Sequence, residues 1–168
     1  AEETIDRYGK VHLLVNNAGV SLPEPVGDIP LQDWRWVIDV NLMGVVHGLE
    51  AFIPLIKAHG EGGHIVNTAS LAGHLSYGGM GPYCATKFGV VGLSEALRAD
   101  MDPFDIGVSV LCPAYVKTSI HLSVHGRPSG RDPGAERNEA VAANIAAGID
   151  PADVAEWTVD CVEANRFY

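Results

Sequence analysis

Short apolar runs alternate with long helical segments along the chain. The runs at 10–19, 63–69 and 107–112 are typical of strands, and the apolar centre of the first, Leu13–Val15, is expected of a strand buried on both faces of a sheet. Helical patterns at about 31–58 and 82–101 separate these runs. Strands that alternate with helices predict a parallel sheet with helices packed on it. The sequence therefore predicts an α/β fold built on an open parallel sheet.

The last third of the chain is predicted to carry a lid and two further helices. Residues 119–134 are polar and glycine-rich, and a loop in that position after a strand suits a mobile lid. With a helix predicted at 135–147, this lid or substrate loop covers about 119–147. Asp150 is the expected N-cap of the last helix, and a fourth strand is expected to begin near Arg166.

The composition limits the partners that the protein can have. The chain of 168 residues has 11 basic and 21 acidic side chains, a formal net charge of −10. An acidic surface favours solubility and argues against nucleic acid or an anionic membrane as a partner. No apolar run is expected to reach the length that spans a bilayer. Cys84, Cys112 and Cys161 are widely spaced, which predicts reduced thiols in a cytoplasmic protein.

Tyr83 and Lys87 lie four residues apart in a helical run, so their side chains leave the same face of the helix one turn apart. A phenol ordinarily titrates near pH 10, and a neighbouring ammonium group favours the phenolate and lowers that pKa. A tyrosine shifted in this way can exchange a proton near neutral pH. Alone, the pair is common on solvated helices and is a weak indication.

Other polar residues give the pair its context. Ser70 ends the second predicted strand, Asn16–Gly19 closes the first, and Asn41 lies inside the first long helical segment. This set, in this order and spacing with Tyr83, resembles the short-chain dehydrogenase/reductase family, and the resemblance covers residues 11–168. It implies a Rossmann-like, doubly wound parallel sheet whose site lies beyond the carboxyl ends of the strands.

The resemblance implies a role for each matching polar residue. Tyr83 is expected to be the general acid/base, and Lys87 to lower its pKa and to hydrogen-bond the nicotinamide ribose. Ser70 is expected to hold and polarise the substrate oxygen. Asn41 is expected to keep a water in place behind Lys87 as part of a proton relay. The alternative for Asn41 is an amide that is exposed or that satisfies a kink in its helix.

The resemblance also implies a site for NAD or NADP. Pro113, Val116 and Thr118 match the family's Pro-Gly-x-Val-x-Thr run, which clasps the nicotinamide carboxamide. Ala114 stands at the glycine position of that run, which leaves the local backbone conformation open because alanine tolerates positive φ badly. The cofactor-contacting residues that the resemblance implies are Asn16, Ala18, Gly19, Tyr83, Lys87, Pro113, Val116 and Thr118.

Three further groups of polar residues have alternative interpretations. Asn16 or Asn17 could instead tie neighbouring strands together. Arg127, Arg131 and Arg137 could meet an anionic substrate, although a solvated face of the lid is the preferred interpretation. His121 and His125 have a metal-like i, i+4 spacing, but no third ligand is evident, and no metal is expected.

Both ends of the chain look as if they cut through secondary structure. Residues 1–8 are typical of the last turns of a helix closed by Gly9, and residues 165–168 of a strand that begins and stops. Family members begin with a strand, a glycine-rich phosphate-binding turn and a helix, and that glycine motif is missing here. We therefore expect residues 1–168 to be a single partial Rossmann-fold domain, without the N-terminal glycine-rich segment and the extreme C-terminus.

Three functions follow from these expectations. The leading one is an NAD(P)-dependent oxidoreductase that interconverts a secondary alcohol and a ketone, with a small molecule as substrate. The second is an extended-type epimerase or dehydratase of nucleotide sugars, against which the Asn-Asn-Ala-Gly turn argues. The third is a non-catalytic fragment, because the first predicted strand is left with an uncovered edge. The resemblance also implies a homo-oligomer, a dimer or tetramer, for the parent protein.

Overall fold

One parallel sheet organises the fold. The computed structural model describes residues 1–131 and 134–168. The strands are β1 (Leu13–Asn16), β2 (Gly63–Thr68) and β3 (Ile106–Leu111), in the order β1-β2-β3. Leu13 is opposite His64 in the first pair, and Gly63 is opposite Ile106 in the second. All described pairings are parallel, which confirms the predicted α/β sheet and its incomplete Rossmann-like form.

Helices connect the strands. The α-helices of the described residues are α1 (Glu2–Tyr8), α2 (Leu31–Ile38), α3 (Gly44–His59), α4 (Gly81–Met101), α5 (Ala135–Ala146) and α6 (Pro151–Glu163). Gly9 and Gly60 end α1 and α3 with φ angles of 79° and 67°, a conformation that glycine adopts without steric cost. Asp150 caps α6 as predicted, since its Oδ1 accepts a hydrogen bond from Ala152 N at 2.9 Å.

The main core lies where α3 and α4 pack against the sheet. Its members are apolar residues of the strands and of the two helices, which lie in the helical segments predicted at about 31–58 and 82–101. Burial of these side chains is the main source of stability for such a layered fold. The most buried of them are Val45, Ile56, Ile65, Ala69, Val90, Ile106, Val108 and Val110.

The first strand differs from the prediction that it is buried on both faces. Leu14 is buried in the core, but Leu13 and Val15 on the opposite face are 48% and 47% exposed. Alternate residues of a strand point to opposite faces of the sheet. No described element covers the second face of β1, so these two side chains line an open cavity instead of a core.

The segment after β3 is packed, whereas the sequence predicted a loose loop. Ile120–Gly126 forms a 3₁₀ helix, and Val124 is buried with Leu22, Ile29 and Val37 in a second, smaller apolar cluster. The predicted fourth strand near residue 166 is also absent from the described residues. There Phe167 O accepts a hydrogen bond from Val110 N at 2.7 Å without a strand forming.

One helical stretch, Leu31–His59, is long and apolar enough to cross a membrane by length and composition alone. This contradicts the expectation that no apolar run reaches that length. A core helix of a soluble protein passes the same test, and Val45, Leu49 and Ile56 of this stretch are buried in the core. The finding is therefore weak evidence for a membrane span.

Candidate active site

A cavity of about 1160 Å³ lies at the carboxyl ends of the strands. This volume exceeds the range of about 300–1,000 Å³ that is usual for a site holding one small ligand. Its walls include residues 17–19 after β1, 68–72 at and after the end of β2, and 113–116 after β3. Of the residues predicted from the sequence, it is lined by Ala18, Gly19, Ser70, Tyr83, Lys87, Pro113, Val116 and Thr118. Asn16 and Asn41 are not among its lining residues.

Ser70 is held at the junction of β2 and α4. Its Oγ caps the short 3₁₀ turn that follows β2, accepting a hydrogen bond from Ala72 N at 3.1 Å. The same hydroxyl faces Pro113 O at 3.5 Å and interacts by hydrogen bonding with the phenol of Tyr83. The two hydroxyl groups that were predicted to share one substrate oxygen therefore lie beside each other in one cavity.

The pKa of Tyr83 is shifted in the opposite direction to the one predicted. Burial raises this pKa above the ordinary value of 10, and the hydrogen bond with Ser70 offsets only part of the rise. Lys87 Nζ lies 5.6 Å from the centre of the phenol ring. The net lowering of this pKa that the sequence predicted is therefore not seen, because desolvation of the phenol is the largest influence on it.

Lys87 is also buried, with 3% of its surface exposed. Its Nζ donates a hydrogen bond to Thr68 O, the last carbonyl of β2, at 2.8 Å. Burial lowers the pKa of Lys87 to about 8. A Cβ added to Gly19 would lie 3.6 Å from this Nζ, so the turn after β1 passes close beside the lysine.

Asn41 sits in an unusual helical turn next to the site. Asp39–Met43 is a π-helical turn that joins α2 to α3, and such wide turns are frequent at functional sites. The Asn41 amide accepts from Val20 N at 2.8 Å and donates to Val20 O at 3.0 Å. It also donates to Thr86 Oγ1 at 3.2 Å. The side chain thus joins the turn after β1 to α4, while its part in a proton relay stays a prediction.

Asn16 and Asn17 have different surroundings, one between neighbouring strands and the other at the cavity. Asn16 Nδ2 donates to Asn67 Oδ1 at 2.9 Å, which ties β1 to β2 on the side of α3. Asn17 lines the cavity, and its Oδ1 accepts from Thr68 Oγ1 at 3.1 Å. The contacts of Asn16 therefore support the strand-tying alternative, and the structure does not bring this residue to the predicted cofactor wall.

The run that begins at Pro113 is fixed by backbone hydrogen bonds. Pro113 O accepts from Leu71 N at 2.9 Å, and Val116 forms an isolated parallel bridge with Ile149. Ala114 does not have a positive φ, so the alanine in place of the family's glycine causes no strain of that kind. This run therefore keeps a regular backbone beside the cavity.

Sequence reasoning missed a buried ionic cluster that anchors the lid. Arg127, with 4% exposure, donates from Nε to Asp33 Oδ2 at 2.8 Å and from Nη2 to Glu24 Oε2 at 2.5 Å. Asp33 Oδ1 also accepts from Ser129 N at 3.0 Å. Arg131 binds the other oxygen of Glu24 at 2.9 Å. Both expectations for Arg127, a solvated lid face or a contact to an anionic substrate, are therefore wrong.

A second polar cluster lies at the opposite ends of the strands. Ligand atoms of His12, His59 and Glu61 lie within 4.8 Å of one another. Both nitrogens of His59 already have partners, since Nε2 lies 2.9 Å from Val11 O and Nδ1 accepts from Glu61 N at 3.2 Å. Glu61 also pairs with Lys10. These bonds compete with any metal ion.

Comparison with known proteins identifies the family. A family model described as short chain dehydrogenase matches residues 1–126. A CLA biosynthesis dehydrogenase/reductase of Lactiplantibacillus plantarum is 32% identical over 99% of this chain and 63% of its own length. A C alpha-dehydrogenase of a Sphingobium strain is 36% identical over 93% of this chain and 53% of its own length. The chain thus spans between about half and two thirds of the length of these relatives.

Solved structures agree with the sequence matches. A short chain dehydrogenase/reductase from Burkholderia phymatum in complex with NAD superimposes with a TM-score of 0.93 at 38% identity, covering 99% of this chain and 63% of that one. A gluconate 5-dehydrogenase from Burkholderia cenocepacia in complex with NADP and tartrate gives a TM-score of 0.69 at 30% identity, with coverages of 77% and 50%. With Ser70, Tyr83 and Lys87 gathered on one cavity, these matches show that the chain belongs to the short-chain dehydrogenase family.

Proposed function

We propose that the protein containing this chain is an NAD(P)-dependent oxidoreductase that interconverts a secondary alcohol and a ketone. The observation that carries the proposal is the meeting of Ser70, Tyr83 and Lys87 on one cavity at the carboxyl ends of the strands. Hydroxyl, phenol and ammonium groups supply proton donors and a positive charge around one oxygen atom. The relatives described above are named as dehydrogenases and reductases, which supports this reading over the epimerase alternative.

The residues around the cavity fit a nicotinamide cofactor. The turn at Gly19 passes close beside Lys87 Nζ, and the volume of the cavity suits a cofactor together with a substrate. We propose that residues 17–19 and 113–118 hold the cofactor and that Lys87 donates to its ribose. The two similar solved structures described above contain NAD in one case and NADP in the other. The bound cofactor supplies or accepts the hydride.

The side chains of this chain handle the proton. In ketone reduction, the Tyr83 hydroxyl gives its proton to the carbonyl oxygen while the Ser70 hydroxyl donates a hydrogen bond to the same oxygen. The raised pKa of Tyr83 keeps that proton on the phenol at neutral pH. In alcohol oxidation the proton moves the other way, from the substrate hydroxyl to the tyrosine. Lys87 then serves as the positive charge beside the phenolate.

The test replaces Tyr83 by phenylalanine in the complete protein that carries this chain. Removing the general acid should lower kcat for ketone reduction by about 10²–10⁴-fold. Tyr8→Phe is the matched control, since Tyr8 is exposed on α1 and does not line the cavity. Cofactor oxidation with a ketone substrate is the readout. A Tyr83→Phe variant as active as the Tyr8→Phe variant would show that the proposal is wrong.

We further propose that the protein is a cytoplasmic homo-oligomer, a dimer or tetramer. α4 carries apolar residues on two sides. One side packs in the core, and Phe88 on this helix is 44% exposed. An exposed aromatic group on a long helix suits packing against another subunit. The net charge of −10 supports a soluble location away from anionic surfaces. Light scattering of the complete protein measures its oligomeric state. The Phe88→Glu variant should have a lower average mass, closer to that of the monomer.

A further inference from the structure

The cavity wall carries almost no charge. Among its described lining residues, Lys87 has the one side chain that is charged at neutral pH, and its Nζ is already bonded to Thr68 O. The described part of the wall contains no aspartate, glutamate, arginine or histidine. The one positive charge lies beside Tyr83, at the end of the cavity where the reacting oxygen is proposed to bind. A charged group elsewhere on a substrate would therefore leave water without meeting a counter-charge, which is unfavourable.

Arg127, Arg131 and Arg137 of the lid do not supply such a counter-charge, since none of the three lines the cavity. Arg127 is bonded to Asp33 and Glu24, and none of these three residues lines the cavity. Arg131 is held by Glu24 Oε1 at 2.9 Å and by the carbonyl of Asp28. Both guanidinium groups are thus neutralised by acidic partners outside the cavity wall.

Large apolar side chains stand exposed at the opening of the cavity. Leu71, Tyr77, Tyr115 and Leu122 line it and are 36%, 46%, 50% and 51% exposed. They come from three separate segments that meet at this opening: the loop after β2, the run after β3 and the lid. Exposed apolar groups gathered at one opening mark a binding surface for an apolar ligand.

From these observations we infer that the substrate is an uncharged, largely apolar alcohol or ketone. The inference rests on the proposed oxidoreductase function and adds the chemical class of its substrate. The oxygen that reacts lies at Ser70 and Tyr83, and the remainder of the molecule contacts the apolar side chains at the opening. A carboxylate on that remainder is disfavoured because Lys87, the one cation among the described lining residues, lies at the reacting end beside Tyr83.

The experiment compares two nearly isosteric ketones, methyl 4-acetylbenzoate and 4-acetylbenzoate, with the complete protein that carries this chain. They differ mainly in one negative charge. We expect kcat/KM for the ester to exceed that for the carboxylate by at least about tenfold, the scale of a binding difference that one unpaired polar group produces. Equal rates, or faster reduction of the carboxylate, would overturn the inference.

A substitution at the opening tests the physical cause. Leu122 is half-exposed, so Leu122→Arg adds a cation to the wall without burying it fully. We expect Leu122→Arg to lower the ratio of kcat/KM for the ester to kcat/KM for the carboxylate by about tenfold. The uncharged control Leu122→Gln should lower that ratio far less. An equal effect of both substitutions would contradict the charge argument.

A binding measurement separates this inference from the proposed function. Calorimetry of the two ketones with the Tyr83→Phe variant and cofactor reports the charge preference without turnover. Tighter binding of the ester, with no reduction by the unmodified protein, would support the substrate class and refute the oxidoreductase proposal. Tighter binding of the carboxylate, or binding of neither ketone, would refute the substrate class even if other ketones are reduced.

Discussion

Replacing Arg127 by methionine should destabilise the chain far more than a change at an exposed arginine of the lid. Arg127 and Asp33 have side chains that are 1% and 0% exposed, and Glu24 beside them is 6% exposed. Without the guanidinium group, Asp33 stays buried with no positive charge beside it, and Glu24 keeps only its ion pair with Arg131 at 2.9 Å. Breaking a buried ion pair by removing one partner costs about 3–5 kcal/mol. We expect a loss of that size in the free energy of unfolding.

Urea unfolding of the 168-residue chain, followed by circular dichroism, measures this loss. Arg137→Met is the matched control, because Arg137 is an exposed arginine of the lid. Surface substitutions of that kind change stability by about 0.5 kcal/mol or less. A second variant, Arg127→Met with Asp33→Leu and Glu24→Leu, should recover much of the stability, since it removes all three buried charges. Equal stability of Arg127→Met and Arg137→Met would refute the reasoning.

The same cluster predicts how stability depends on pH. Burial alone raises the pKa of Asp33, but hydrogen bonds from Ser129 and Arg127 outweigh it, and the pKa lies below its ordinary value. The unfolded chain therefore takes up this proton at a higher pH than the folded chain. The stabilisation is fully present above the ordinary aspartate pKa and is lost as the pH falls through the folded value. In the Asp33→Asn variant this acid-dependent loss should be reduced.

Three further predictions follow from the site and the sheet. Because burial lowers the pKa of Lys87 to about 8, stability should rise between about pH 8 and 10 by up to about 3 kcal/mol, and unfolding of Lys87→Met should lack that rise. A Cβ at Gly48 would overlap the side chain of Asn16, whereas a Cβ at Gly92 would meet nothing within 4 Å. Gly48→Ala should therefore lower the free energy of unfolding by about 1–3 kcal/mol, and the control Gly92→Ala should leave it unchanged or raise it in urea unfolding. The 168-residue chain alone should bind NADH weakly and tend to associate through β1; a fluorescence titration showing micromolar affinity would contradict this.

The sequence predicted the sheet well because its signals are local. Apolar runs with glycine before them define β2 and β3, and the helix caps at Gly60 and Asp150 follow from residue type alone. The two faces of β1 were not predictable in the same way. Burial of a strand depends on which elements cover it, and that is not a property of its own residues.

The candidate site shows the same division. Ser70, Tyr83 and Lys87 were found from their order and spacing, and the structure brings them to one cavity. The bonds of Arg127 to Asp33 join residues 94 positions apart, so no local pattern reveals them. The choice between Asn16 and Asn17 depends on the direction in which each side chain leaves the strand end, which changes with one residue of register.

The pKa of Tyr83 shows why spacing alone does not settle the chemistry. Four residues of helix place an ammonium near a phenol, but the effect of that charge depends on how much water both groups have lost. Burial favours the neutral form of each group, raising the pKa of Tyr83 and lowering that of Lys87 to about 8. The ammonium is also held by Thr68 O rather than by the phenol oxygen. At neutral pH the site therefore presents a protonated tyrosine, the form that donates a proton to a ketone oxygen, whereas accepting a proton from an alcohol requires the phenol to lose its own first.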